Sequence, residues 1–383
     1  MLGESLGTSG KFAESDAVIK ESIALADQLL ARRPGHRPAL RNKASMQGQL
    51  AANASRQLQA AEAIRYARES LRTQEEVLAL DPGSSNSQNN RRVAMSGISS
   101  QLANLGQVDE ALSQLRNALV IPPNERLTGF SAFNLSAFHT YAASVESQLG
   151  NQAGAKAELA NADRYAVVAK AAGVGEAFRV LGSLLVAGTR SDVVRMNNDK
   201  LAAQRTRKDL DEAIAAFVAS VASTRVGGGQ TSGRGLEEVT NAYRQSAGLS
   251  IVMGEFAAAE TTARKAVDAE RANNDVPANV YATSQARAVL AVALARQGKF
   301  AEANQALAPA LAFYRSPTAT KSDVVTLKIS HAEALLAAAV ANPKEKAKYL
   351  GDALRRLDAL PATMKPLKDV VQLRAEIAAE MKR

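Results

Sequence analysis

Four segments of the chain align without gaps on a glycine. They are Leu105-Gly106-Gln107-Val108-Asp109-Glu110-Ala111, Leu149-Gly150-Asn151-Gln152-Ala153-Gly154-Ala155, Met253-Gly254-Glu255-Phe256-Ala257-Ala258-Ala259 and Gln297-Gly298-Lys299-Phe300-Ala301-Glu302-Ala303. Five residues after the glycine stands Ala111, Ala155, Ala259 or Ala303, and twelve after it Ala118, Ala162, Ala266 or Ala310. Seven before it stands Ser99, Ala143, Ala247 or Ala291. Few folds accept this pattern. A glycine at positive φ ends a helix and turns the backbone. Small residues at fixed heights on both sides let two antiparallel helices approach closely, while Leu and other large residues fill the space around them. Such a hairpin cannot bury its faces alone, so it stacks on its neighbours.

The glycines are 44 residues apart in both pairs, 106 to 150 and 254 to 298. A further step of 44 reaches Asn342, with Ala347 at the same offset of five. Gly10-Lys11-Phe12-Ala13-Glu14 matches the start of the last segment, with Ser15 in place of the alanine. Ala63 with Leu80-Asp81-Pro82 closes another hairpin, and one more is expected between 176 and 225, turning around Gly188-Thr189-Arg190. The expected fold is an all-α, right-handed solenoid of about eight stacked antiparallel hairpins. Composition agrees: 77 of 383 residues are Ala, aromatics make up 4%, and a core of Ala and Leu favours helix over sheet.

The run Leu102, Gly106, Ala111, Ala118 and Pro123 resembles the tetratricopeptide repeat. That family's usual period is shorter than this one, and the long hairpins look like those of kinesin-light-chain-type repeats. The run Ala63-Ile64-Arg65-Tyr66-Ala67-Arg68-Glu69-Ser70-Leu71, continued by Glu75-Glu76-Val77-Leu78-Ala79-Leu80-Asp81-Pro82, is also similar to repeat regions of bacterial eukaryotic-like serine/threonine kinases. The pattern has departures. Glu146 stands where the family prefers an aromatic residue or Leu, and no closing Pro follows the hairpins at 150, 254 and 298.

Arg225-Val226-Gly227-Gly228-Gly229-Gln230-Thr231-Ser232-Gly233-Arg234-Gly235 carries five Gly in eleven residues. By composition it is a loop, so the expected division is repeats over 1–225, a Gly-rich loop over 226–235 and repeats over 236–383 in the same solenoid. The net charge of +9 is spread, with +6 over 30–92, +3 over 277–343 and +4 over 344–383. The densest cluster is Arg32, Arg33, Arg37, Arg41 and Lys43. A patch for acidic partners competes there with the simpler reading of a solvated hairpin end, which is favoured. No aromatic residues interleave with these cations, so nucleic acid is not an expected partner. The first thirty residues hold no apolar export segment. The longest uncharged stretch, Leu127 to Val145, is too rich in Ser, Thr and Asn for hydrocarbon and reads as a buried helix. Membrane insertion is not expected and a cytoplasmic location is. The chain opens inside a helical pattern, however, which leaves open that it is a piece of a longer, even membrane-anchored, polypeptide working outside the cytoplasm.

No catalytic signature is present: no G-x-x-x-x-G-K-[ST], H-E-x-x-H or G-x-S-x-G, and no Cys. His36, His139 and His331 fall far apart in the repeat register and read as structural. The expectation is a non-enzyme with neither metal nor cofactor. What remains is surface. The resemblance puts the first helix of each hairpin on the concave face, with inward positions about 13, 10, 6 and 3 residues before the turn glycine. Read off, these give Ser96 and Ser100, then Thr140, Ser144 and Ser147, then Asn241 and Arg244, then Gln285, among small or apolar neighbours such as Val93, Ala137 and Gly248. This mildly polar, nearly uncharged row is the candidate peptide-binding face. The family's Lys/Asn/Arg carboxylate clamp is not reproduced. The expected function is a protein or peptide interaction scaffold. The alternative is a regulatory segment of a bacterial signalling kinase whose catalytic domain lies outside this chain. Partner identity and oligomeric state are not legible here.

Overall fold

The computed structural model describes residues 2–123, 125–197, 199–226, 233–269 and 276–383. The helices are α1 (Leu2–Thr8), α2 (Phe12–Arg32), α3 (Arg37–Arg56), α4 (Ala60–Leu80), α5 (Ser85–Asn104), α6 (Val108–Ala118), α7 (Gly129–Gln148), α8 (Gln152–Ala171) and α9 (Glu176–Met196). They continue as α10 (Lys200–Val226), α11 (Gly233–Met253), α12 (Phe256–Ala269), α13 (Pro277–Ala295), α14 (Phe300–Arg315), the single turn α15 (Pro317–Thr320), α16 (Thr326–Ala341), α17 (Lys346–Asp358) and α18 (Lys368–Met381). Among the described residues there is no strand, and consecutive helices pair into eight antiparallel hairpins, α1/α2 through α13/α14 and then α16/α17, followed by α18.

The repeat register is the hairpin geometry. Gly10, Gly106, Gly150, Gly254 and Gly298 all have φ near +80°. At each, the following N–H donates back to the carbonyl five residues earlier, as in Gln107 to Leu102 at 2.9 Å and Lys299 to Leu294 at 3.0 Å. The twelve small residues of the four aligned segments, from Ser99 to Ala310, are all fully buried where the two helices touch. Hydroxyls stitch the same positions from either side. Ser99, seven before its turn, donates to the carbonyl of Ala111 at 2.6 Å. In the first hairpin the roles reverse, and Ser15, five after Gly10, donates to the carbonyl of Gly3 at 2.6 Å. Ser15 therefore substitutes for the alanine without leaving a buried hydroxyl unpaired.

Two expectations about connections change. Gly188 is not at a turn; it lies inside α9, and the two helices of this hairpin join between Met196 and Lys200, a stretch without glycine. In the second hairpin the turn residue at positive φ is Leu58, at 59°, so a leucine occupies a conformation that glycine adopts at lower cost. Of the expected loop at 226–235, Val226 ends α10 and Gly233 to Gly235 begin α11, and 227–232 lies outside the described residues.

The array curls until it meets itself. The turn of the first hairpin, at Gly10, lies against Val276 at the start of α13. The second, at Leu58, receives the Ser322 hydroxyl on its carbonyl at 2.6 Å. The third receives the Val325 N–H on the Asn104 carbonyl at 2.7 Å and the Thr363 hydroxyl on the Gly106 carbonyl at 2.9 Å. Hairpin one thus meets the start of hairpin seven, hairpin two the approach to hairpin eight, and hairpin three both the start of hairpin eight and the approach to α18. Met364 sits so close to the bare backbone of Gly106 that a Cβ there would lie 2.7 Å from its sulfur. Apolar clusters continue across the join: Leu58 and Ala60 with α13 to α16, and Val108, Leu112 and Val145 with α16 to α18. The fold is a closed spiral, a first coil through α12 capped by a second coil from α13 onward.

Candidate functional site

Closure puts the first helices of successive hairpins around a narrow interior. The predicted row divides there. Ser96, Ser100, Ser144, Asn241, Arg244 and Gln285 are half-buried along the inner wall. Thr140 and Ser147 are buried in helix contacts: Thr140 donates to the Ser136 carbonyl at 2.6 Å, and the Ser147 hydroxyl lies 3.9 Å from the Met196 sulfur. Gln285 is held by the second coil. Its amide donates to the Ser330 hydroxyl at 2.9 Å, and Tyr281 meets the same hydroxyl at 2.9 Å.

The expectation of a nearly uncharged wall is corrected. With the turn of the fifth hairpin moved from Gly188 to the connection of α9 and α10, the fully buried Ser191 takes the place of Ser99 and Ala143, and the inward places one and four residues after it are Asp192 and Arg195. Their side chains lie 3.7 Å apart, half-buried, and Gln245 of α11 donates to Asp192 at 2.6 Å. Gly188 makes room for that glutamine, since a Cβ would stand 2.5 Å from its Oε1. Glu333 on α16 and Asp369 on α18 approach from the second coil. Burial pushes the Glu333 carboxyl above the usual carboxylate range, against the pull of Arg195 and Arg244. Burial also raises Asp369, opposed by the Val370 N–H and by Arg195. Arg244 is different: among the described residues it has no salt bridge, and its buried Nε has no acceptor. The wall therefore carries a belt of mixed charge at the junction of the coils. The misplaced turn hid it, because the connection between α9 and α10 carries no glycine to mark it.

Each of the three histidines is engaged in a packing or capping contact. His139 meets Glu158 at 2.5 Å, a carboxylate nineteen residues on that reaches it from the paired helix, but both belong to a packed wall where His139 stacks on Tyr165. His331 stacks on Tyr314, and burial together with Arg356 and Arg315 holds it down to about 3, so it stays neutral. His36 caps α3 by accepting the Ala39 N–H. Glu146, the departure from the repeat pattern, is buried and bonds Arg116 and Asn151, each at 2.9 Å. The basic cluster is partly neutralised: Arg37 and Arg41 share Asp81, and Lys43 pairs with Asp27 at 2.7 Å. No group of three or more potential metal ligands occurs among the described residues, and none of their helices is long and apolar enough to cross a membrane.

The molecule so defined is a helical-repeat protein with an accessible inner wall. Residues 283–316, from within α13 through α14, match the family model of the tetratricopeptide repeat. No curated protein matches the chain. Among solved structures it is similar to a circular tandem repeat protein with novel repeat topology, at 14% identity, covering 100% of this chain and 94% of that one with a TM-score of 0.29. It is also similar to the tetratricopeptide domain of P58(IPK), at 12% identity, 100% and 96% coverage and a TM-score of 0.22. A third similarity is to yeast Tom70, at 10% identity, 100% and 95% coverage and a TM-score of 0.20. These scores carry no argument about overall shape. The seventh hairpin carries a tetratricopeptide repeat by sequence, and the third, fourth and sixth share its small-residue register.

Proposed function

We propose that this chain is a non-catalytic scaffold that takes a peptide or a segment of a partner protein on its inner wall. The observation that supports it most directly is Arg244, a half-buried guanidinium without a salt bridge, beside Asn241 on the same helix. Its buried Nε is a donor without an acceptor, which is costly, and a partner's carbonyl or carboxylate would satisfy it. Ser96, Ser100 and Ser144 supply hydroxyls along the same wall. Thr140 and Ser147 support the wall from behind, and Gln285 is held in it by the Ser330 hydroxyl.

The test is a variant series against a partner captured from lysate and mapped to a peptide. Arg244→Gln removes the charge without setting a new carboxylate beside Glu333. It is expected to weaken binding by about 1–3 kcal/mol while helicity by circular dichroism is unchanged. An affinity indifferent to Arg244, Asn241 and Ser144 sinks the inner-wall reading. A second reading, a regulatory segment of a signalling kinase, rests on the sequence pattern of residues 60–124; a kinase domain in the same reading frame would support it.

A further inference from the structure

Phe130 and Phe178 both stand thirteen positions before the fully buried small residue of their helix, Ala143 and Ser191, and Phe133 stands ten before Ala143. Those offsets continue the inward row to the opposite end of α7 and α9, away from the second coil. There the three rings meet. Phe130 and Phe178 are edge to face at 5.2 Å, Phe133 and Phe178 are 5.3 Å apart, and Phe130 and Phe133 are 6.0 Å apart. Phe133 is the buried base, seated over Gly182, while Phe130 and Phe178 are 45% and 42% exposed. The chain has only nine Phe and no Trp, so a third of its Phe is gathered at this edge, and two of the three rings stand open to solvent. Exposed aromatic clusters of this kind mark contact sites rather than packing.

The rim says what kind of segment fits. Every carboxylate from 125 to 176 has a partner: Glu125 pairs with Arg92, Glu146 with Arg116, Glu158 with His139, Asp163 with Arg190 and Glu176 with Arg179. Arg126 stands four residues before Phe130, and Lys170 stands just before the turn that packs on Gly129. Both are exposed and have no carboxylate partner among the described residues. The apolar seat thus carries an unbalanced positive rim. We propose that it docks an acidic partner segment that presents one large apolar side chain flanked by Asp or Glu. The apolar side chain enters between Phe130 and Phe178 above Phe133, and the carboxylates face Arg126 and Lys170. This rests on the scaffold reading above and adds to it a place and a partner chemistry.

The experiment is selection from an unbiased linear-peptide library displayed against the full chain. Affinities of the enriched peptides are then measured for wild type, for Phe130→Ser/Phe178→Ser, for Arg126→Glu and for Arg244→Gln. The expected peptides carry Trp, Phe or Leu beside Asp or Glu. They lose about tenfold or more with the double Phe change and with Arg126→Glu. Replacing the peptide's acidic residue with Lys restores binding to Arg126→Glu, which separates charge pairing from misfolding. Peptides weakened by Arg244→Gln but indifferent to the Phe and Arg126 changes would overturn this proposal and leave the inner-wall reading standing. Enrichment of basic or wholly polar peptides, or of none, would overturn it as well, and peptides indifferent to all four changes, or none at all, would sink both. Self-association of wild type in sedimentation, abolished by Phe130→Ser/Phe178→Ser, would show that a second copy occupies the seat and would also overturn it.

Discussion

Removing the side chain of Asp323 should loosen a helix that begins 263 residues earlier in the chain. The first turn of α4 lacks a cap of its own, because Gln59 makes no side-chain bond to it. Asp323 supplies one from the second coil, accepting the Ala60 N–H at 2.8 Å and the Ala61 N–H at 2.7 Å. Two of the four amides that a helix leaves unpaired at its start are thus satisfied by a carboxylate at the favourable end of the dipole. Loss of an N-cap costs about 1 kcal/mol, and a hydrogen bond to a charged group about 1.5–3 kcal/mol. Asp323 and Ala61 are exposed to water, so the lower figures apply, and Asp323→Ala is expected to cost about 2 kcal/mol. Asp323→Asn keeps one acceptor and should cost about half of that, with a weaker dependence on salt. The assay is hydrogen exchange read by peptide, with urea unfolding beside it. Protection should fall in the first turn of α4 and at 322–326 together, while α11 and α12 stay as they were. Equal exchange in wild type and variant, or loss confined to 322–326, would refute the coupling of the two coils.

Ala303 is fully buried at the contact of α13 and α14, so Ala303→Leu should overpack it and lower stability by about 1–3 kcal/mol. Ala301→Leu, on the exposed side of the same turn, should leave the melting temperature unchanged; equal effects would contradict the register. His331 is held neutral at about 3 against an ordinary 6.5, so its contribution is whole above pH 6.5 and is lost as pH falls toward 3, where the unfolded chain alone is protonated. The loss is up to about 1.4 kcal/mol per pH unit before discounting for solvent around the ring, and His331→Phe should flatten stability between about pH 6 and 5. Glu333 acts in the opposite sense, because its raised value makes its contribution fade as pH rises through it, so Glu333→Gln should gain stability near neutral pH, as seen in urea melts. Limited proteolysis should nick first at Arg225 or Arg234, beside the glycine-rich run, and leave two helical fragments; first cleavage elsewhere would count against a boundary there.

The hairpins were legible in the sequence because each depends on neighbours less than forty residues away. A glycine at Gly106 or Gly298 and small residues at Ala111, Ser99 and Ala303 state where two helices turn and touch. Where the local signal was of another kind the reading slipped. The connection of α9 to α10 carries no glycine, so Gly188 drew the turn to itself and the charges of Asp192 and Arg195 went unseen. Leu58 did not announce a left-handed turn, because part of what holds it, the hydroxyl of Ser322, comes from the far end of the chain. Closure itself was not legible. It arises from a small rotation at each hairpin contact, summed over six of them until Leu58 meets Ser322 and Gly106 meets Met364. No single residue encodes that sum. The same closure decides which inward side chains line the interior, which are sealed as Thr140 and Ser147 are, and which edge, at Phe130 and Phe178, is left open to solvent.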